Sequence, residues 1–222
     1  MNECTRDICS NDDEYKQLFN AEQLVKAGNI PLPTIIFTPK RSKEIYSLIA
    51  LTEVTLRNQI NNSINKNVHN KWLLDVKFVK NILKDNELKK YLELYEGLDK
   101  RGKLTEGRLI AELSLGFWVN LFNKKYKIDL WHKKDVFETV FPYFDIKTSN
   151  RIGIIYPKLK NLHYIRNRIS HQEAIFDYPK GLNNFHNDIL ILLNWLSPKI
   201  KELSLSICKF DDIWNKKEEL FN

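Results

Sequence analysis

The sequence predicts an all-α protein, and three observations lead there. Glycine and proline number only 7 each among 222 residues, so few positions favour tight turns. Lys, Leu, Asn and Glu are abundant, and apolar residues recur at three- and four-residue intervals, the period of a helix with one buried face. No stretch keeps the two-residue alternation of a strand. Hydrophobic residues make up 43% and aromatics 12%, the composition of a folded chain rather than a disordered one. The length suffices for one large or two small domains with a sizeable core.

Taken in order, residues 1–14 read as a flexible acidic tail leading into a short helix, Tyr15 to Ala27. Gly28-Asn29 stops that helix, and Pro31 and Pro33 mark an extended link. The expected plan is a tail and short helical extension over 1–38, then a single all-α domain over 39–222. Its first helix runs from near Pro39 to about Asn65, with Tyr46, Ile49, Ala50, Val54, Leu56 and Ile60 as the buried stripe. Trp72 to Tyr95 gives one helix, or two broken around Asp85-Asn86, and Gly97 and Gly102 bracket a basic turn. Leu109 to Phe122 follows as a strongly apolar helix. Gly116 inside it costs about 1 kcal/mol relative to Ala, which predicts close helix–helix packing at that point. Trp118 and Trp131 read as core anchors. Short turns close at Pro142, and a further helix follows Pro157. A last long helix runs from Leu182 to about Leu205, interrupted near Pro198, before an amphipathic piece ending at Phe221.

Charge divides unevenly. The net charge is +7, yet residues 1–14 hold five acids against Arg6. Restoring the tail's four excess negatives leaves about +11 on the remainder, a surplus suited to polyanions. Basic residues cluster at Lys77, Lys80, Lys84, Lys89, Lys90, Lys100, Arg101, Lys103 and Arg108, and again at Lys124, Lys125, Lys127, Lys133 and Lys134. A solvated Lys-rich surface accounts for composition alone; RNA becomes the better reading beside the motif described next. The most apolar run, Ile189 to Leu196, is too short to span a bilayer and contains Asn194. With no cationic leader and three cysteines (Cys4, Cys9, Cys208) that fit neither a disulfide framework nor a zinc motif, a reducing cytoplasm is expected. Five histidines without an HxxxH-type pair argue against a metal site, and no Gly-rich phosphate loop is present. No cofactor is expected.

The stretch from Lys160 to Phe176, KNLHYIRNRISHQEAIF, carries the chemistry. Leu159, Leu162, Ile165 and Ile169 give it an apolar stripe. Arg166, Asn167, Arg168 and His171 gather on its last turns. Asn167 and His171, four apart, lie roughly 40° from eclipsed. A helix C-terminus is a favourable place for a cationic imidazole. An always-charged guanidinium beside a histidine is a combination that phosphodiester chemistry can use. His163 shares the stripe of Asn167 and His171, so it could line the same groove, supporting the site or binding RNA; a single histidine at such a place is more often a satisfied surface or interface residue. His69, His132 and His186 lack partners in sequence.

These residues resemble the signature of HEPN ribonucleases, an arginine and a histidine four to six residues apart with a polar residue after the arginine. The phrase IRNRISHQEAIF is similar to the Abi-like (AbiD/AbiF, abortive infection) branch of that superfamily. Two further blocks agree in order: EVTLRNQI from Glu53 to Ile60, and LIAELSLGFWVNLF followed by LW from Leu109 to Trp131. Together they cover roughly Ser42 to Leu196. The resemblance implies a HEPN-type helical bundle with additional helices at both ends, and metal-independent RNA cleavage. In that reaction the 2′-OH attacks the adjacent phosphorus and leaves a 2′,3′-cyclic phosphate and a 5′-OH. It further implies an anti-phage effector or toxin, held in check by a small RNA or a protein antitoxin.

Such a reaction needs one group to take a proton and another to supply one. A single chain offers one suitable histidine, so a homodimer apposing two motif helices would supply His171 twice, in a composite site. Arg166 would stabilise the developing charge, a task that typically contributes ~3–4 kcal/mol. Asn167 would orient the imidazole or bond the scissile phosphate. Arg168 and Ser170 would serve the dimer contact or the RNA backbone. The LRN of Leu56 to Asn58 echoes the IRN of Ile165 to Asn167, with Glu53 one turn before Arg57. A chance tripeptide with a surface Glu–Arg pair explains this at ~0.3–0.5 kcal/mol. The functional account has Glu53 orienting Arg166, or Arg57 and Asn58 holding RNA; a structural role, or one that supports the site from behind, is favoured. Two competing readings are a non-catalytic RNA-binding protein of the same fold, one that holds a small regulatory RNA, and a helical scaffold whose polar helix end is ordinary capping.

Overall fold

The computed structural model describes residues 32–171 and 181–212, and one helix organises it. This helix, α1 (Leu32–Asn67), has 36 residues and is therefore about 54 Å long. It is followed by a 3-10 turn at Trp72–Leu74, α2 (Val76–Ile82), α3 (Asp85–Lys100), α4 (Glu106–Glu112) and α5 (Leu115–Asn120). A 3-10 turn (Lys124–Tyr126) and a π-helical turn (Lys127–Trp131) lead to α6 (Val136–Val140), α7 (Arg151–Ser170), α8 (Leu182–Leu196) and α9 (Pro198–Ile207). Helices α4 to α9 all touch α1. Among the described residues there is no strand, so the chain is all-α. None of its helices there is long and apolar enough to cross a membrane.

Several expectations shift for physical reasons. Helix α1 begins at Leu32 and includes Pro33 and Pro39. Pro33 thus sits in a first turn, where a missing N–H costs nothing, rather than in an extended link. The expected boundary between residues 38 and 39 falls within this one helix. Its buried side chains are Ile45, Leu48, Ile49, Leu56, Ile60 and Ile64, whereas Tyr46, Ala50 and Val54 face solvent. The stripe was obscured because two of its members are hydroxyls. Thr52 is buried by donating to the Leu48 carbonyl at 2.7 Å, and Ser63 by donating to that of Val136 at 2.8 Å. Each satisfies its oxygen within the core.

The apolar run from Leu109 to Phe122 is two helices, not one. Ser114 breaks it by capping α5, its hydroxyl accepting from Phe117 N, as serine does wherever it competes with helix bonds. Thr105 and Asp75 cap α4 and α2 in the same way. The segment from Trp72 to Tyr95 divides before Asp85, close to the expected break. Gly97 lies inside α3, and only Gly102, at φ +63°, makes the turn that follows. Pro157 lies inside α7 rather than before it. The helix holds because its core stripe (Ile155, Leu159, Leu162, Ile165) extends upstream of the proline. The interruption near Pro198 is where α8 gives way to α9. The expected helix Tyr15 to Ala27, and the final segment from 213 to Phe221, lie outside the described residues.

Aromatic side chains fill the core. Trp118 is fully buried, its indole donating to the Leu113 carbonyl, and Trp131 donates to that of Leu121 at 2.6 Å. Trp72 meets Trp118 edge to face, ring centroids 6.4 Å apart, the favoured arrangement for such pairs. Among the described residues, a charged group also belongs to this interior. Glu87 accepts from Lys125 Nζ at 2.7 Å, Asn120 Nδ2 at 2.9 Å and the Tyr126 hydroxyl at 3.0 Å, which pins the turns after α5 onto α3.

Candidate functional site

The site is the C-terminal end of α7. Its core stripe seats the helix against α1, α5 and α8, leaving the last turns half in solvent. Arg166, Asn167 and Arg168 are half-buried, and Ser170 and His171 are exposed. His171 is the residue that ends the helix, its N–H donating to the carbonyls of Asn167 and Ile169. Because α7 stays helical to Ser170, Arg166 and His171 project roughly 140° apart around its axis. One chain therefore sends its guanidinium and this imidazole out on different sides.

A different histidine takes the central position. The Asn167 amide receives Arg166 Nη1 at 3.4 Å and lies 3.2 Å from Nε2 of His163. The spacing of four that links Asn167 to His171 links it equally to His163, and in the structure the Asn167 side chain engages His163 while its carbonyl serves His171. The His163 ring lies against Gly116 of α5, where a Cβ would stand 2.9 Å from Cε1 and Nε2. This is the close approach foreseen at Gly116, with an imidazole as the neighbour. Burial, then the charges of Arg166 and Lys90, hold the His163 pKa below the usual imidazole range. Lys90, on α3, was one basic residue among many in the sequence; only the fold brings it near α7.

The other candidates are dispersed. Arg168 donates to the Tyr164 hydroxyl at 2.9 Å, one turn back on the exposed face. Arg57 donates from Nη1 to the Ala111 carbonyl at 3.3 Å, in the last turn of α4. It thereby satisfies a carbonyl that has no partner within its own helix. Glu53 is half-buried and, among the described residues, forms no ion pair with Arg57 or Arg166; Asn58 is exposed. Part of the basic surplus is spent internally. Lys84 pairs with Asp129 at 2.8 Å, Lys125 with Glu87, and Arg108 with Glu112 at 3.7 Å. Lys77, Lys80, Lys90, Lys124, Lys127, Lys133 and Lys134 remain on the exposed surface.

Of the other histidines, His69 stacks on Phe78 and meets Asp75 at 3.1 Å, while His132 is exposed. His186 is buried against Phe210. Chemically, the end of α7 offers two guanidiniums, an amide, a neutral sheltered imidazole and an exposed one within about two turns. That set can bind a phosphodiester and exchange protons with it. Compared with protein-family models, with curated proteins and with solved structures, the chain finds no match.

Proposed function

We propose that this protein is a metal-independent endoribonuclease of the HEPN type, of the Abi-like (abortive infection) kind, acting as an anti-phage effector or toxin. The observation that supports it is an exposed imidazole, His171, at the tip of a helix that carries Arg166, Asn167 and Arg168 in its last turns. The cleaved bond is a phosphodiester of RNA. The 2′-OH gives up its proton to one imidazole as it attacks phosphorus, and the 5′ oxygen takes a proton from a second as it departs. Arg166 stabilises the charge on the non-bridging oxygens.

The divergence of Arg166 and His171 on one helix favours a site shared by two chains. Around a two-fold axis, the imidazole of each tip faces its counterpart, and the two supply base and acid. The partners in this reading are RNA, a second copy of the chain and an inhibitor, either a small RNA or a protein antitoxin.

The same divergence supports a second reading, a non-catalytic RNA-binding protein whose polar helix tip holds a regulatory RNA. One experiment tests both. End-labelled single-stranded RNA is incubated with the protein in EDTA, and product ends are identified. Fragments with 2′,3′-cyclic phosphate and 5′-OH ends are expected. Strict metal dependence rules out the mechanism, and protection without new 5′-OH ends selects the binding protein.

A further inference from the structure

The hydrogen bonds at the end of α7 have a forced direction. A guanidinium has donors only, so the Asn167 atom that meets Arg166 Nη1 is the carbonyl oxygen. The amide nitrogen then faces Nε2 of His163. Because that nitrogen is a donor, Nε2 accepts, and the ring carries its proton on Nδ1. Were the imidazole doubly protonated, the amide would have to turn its oxygen to His163 and present NH2 to Arg166, donor against donor. The conditions around the ring favour the accepting form: it is half-buried, and Arg166 and Lys90 both oppose a further positive charge there.

The ring is also fixed in place. Gly116 is buried, and its missing Cβ is the space that Cε1 and Nε2 occupy. Gly116 sits in α5, the second half of the apolar run that Ser114 divides, so the core packing of Phe117 and Trp118 holds the backbone under the imidazole. A chain of constraint thus runs from the core through Gly116, His163 and the Asn167 amide to the Arg166 guanidinium.

We propose that His163 is a positioning residue: seated on Gly116, it holds the Asn167 amide with its oxygen toward Arg166, and so fixes that guanidinium for a phosphodiester of RNA. The ligand class rests on the nuclease reading above; the direction of the hydrogen bonds does not. Arg166 spends one N–H on Asn167 and keeps its remaining donors for phosphate oxygens. A guanidinium held this way loses less freedom when it binds.

The test compares two replacements of similar size. His163→Gln supplies a carbonyl oxygen that can accept from Asn167, and His163→Leu fills the space over Gly116 without an acceptor. With both variants equally folded by circular dichroism and urea titration, Gln is expected to keep kcat within about threefold, whereas Leu lowers it roughly 10–100-fold, the scale of a displaced binding group. Single-stranded RNA affinity should divide the same way. In a ligand-free measurement, long-range 15N–1H spectra at neutral pH should place the His163 proton on Nδ1. Equal losses in Gln and Leu, or a proton on Nε2, overturn the inference and leave His163 as packing. If the wild type cleaves no RNA while the Gln–Leu difference in affinity and the Nδ1 proton are both found, the nuclease reading falls and the positioning role stands.

Discussion

The backbone N–H of His171 donates to the carbonyl of Asn167 at 3.0 Å, which places the imidazole at the end of α7 and in solvent. A side chain there carries little of the fold. His171→Ala is therefore expected to unfold within about 0.5 kcal/mol of wild type. RNA cleavage should fall roughly 10²–10⁴-fold, the loss of a general acid–base group. Urea titration and single-turnover cleavage check the two halves. An unfolded variant would make His171 structural, and an active one would remove it from the chemistry.

Glu87 offers the opposite case, a charged group whose work is structural. Its side chain is 6% exposed and bonded to Lys125, Asn120 and Tyr126. Burial works against its ionised form, but the bonds from Lys125, Tyr126 and Asn120 prevail and hold its pKa below the usual carboxylate range. Removing one partner of such a cluster strands the rest, so Glu87→Ala should cost about 3 kcal/mol. Glu87→Gln, which keeps two acceptor directions, should cost less. Urea midpoints for the two variants check this order, and equal midpoints would show that the charge, rather than the shape and acceptor that Gln keeps, holds the turns on α3.

How much of this was legible in the sequence follows from which forces are local. The helical class, the anchoring role of Trp118 and Trp131, the break near Pro198 and the close approach at Gly116 all follow from spacing and residue type. The stripe of α1 did not, because Thr52 and Ser63 look like surface residues until their carbonyl partners are known. Ser114 as a cap and Pro157 inside a helix also escaped, since each depends on whether packing outweighs a local preference. At the site, Asn167 stands four residues from both His163 and His171. Spacing alone cannot choose between them. The choice is made by Gly116, 47 positions before His163 in the chain, and by Lys90 on a third helix.

Arg57 tests the echo between the two RN tripeptides. Its Nη1 serves the Ala111 carbonyl at the end of α4, a structural use. Arg57→Met keeps the aliphatic stem and removes the donor, and should cost about 1 kcal/mol, the net worth of one such bond. Cleavage and RNA affinity should stay as in wild type. Lost RNA affinity at unchanged stability, read by fluorescence anisotropy and urea titration, would instead assign Arg57 to RNA.

Acid should weaken the fold in two separate steps. His186 is 2% exposed and stacked on Phe210, with Asp211 3.7 Å from Nδ1. Burial lowers its pKa from 6.5, and the attraction of Asp211 only partly offsets this. His163 is lowered as well, by burial, Arg166 and Lys90. For both, the unfolded chain binds the proton more readily, so stability rises with pH between the lowered folded pKa and 6.5 and is lost as pH falls through that window. Glu87 is a lowered carboxylate: its contribution is complete above its unfolded value of 4.5 and is lost as pH falls below that value through its folded pKa. Thermal unfolding from about pH 8 to about pH 4 should thus show a first decline below 6.5 and a second below 4.5. His186→Phe keeps the stack on Phe210 without a titrating nitrogen, and should reduce the first decline while leaving the second. A melting temperature that instead climbs as pH drops below 6.5 would mean that the folded imidazoles gain a charge partner, contrary to the burial that surrounds them.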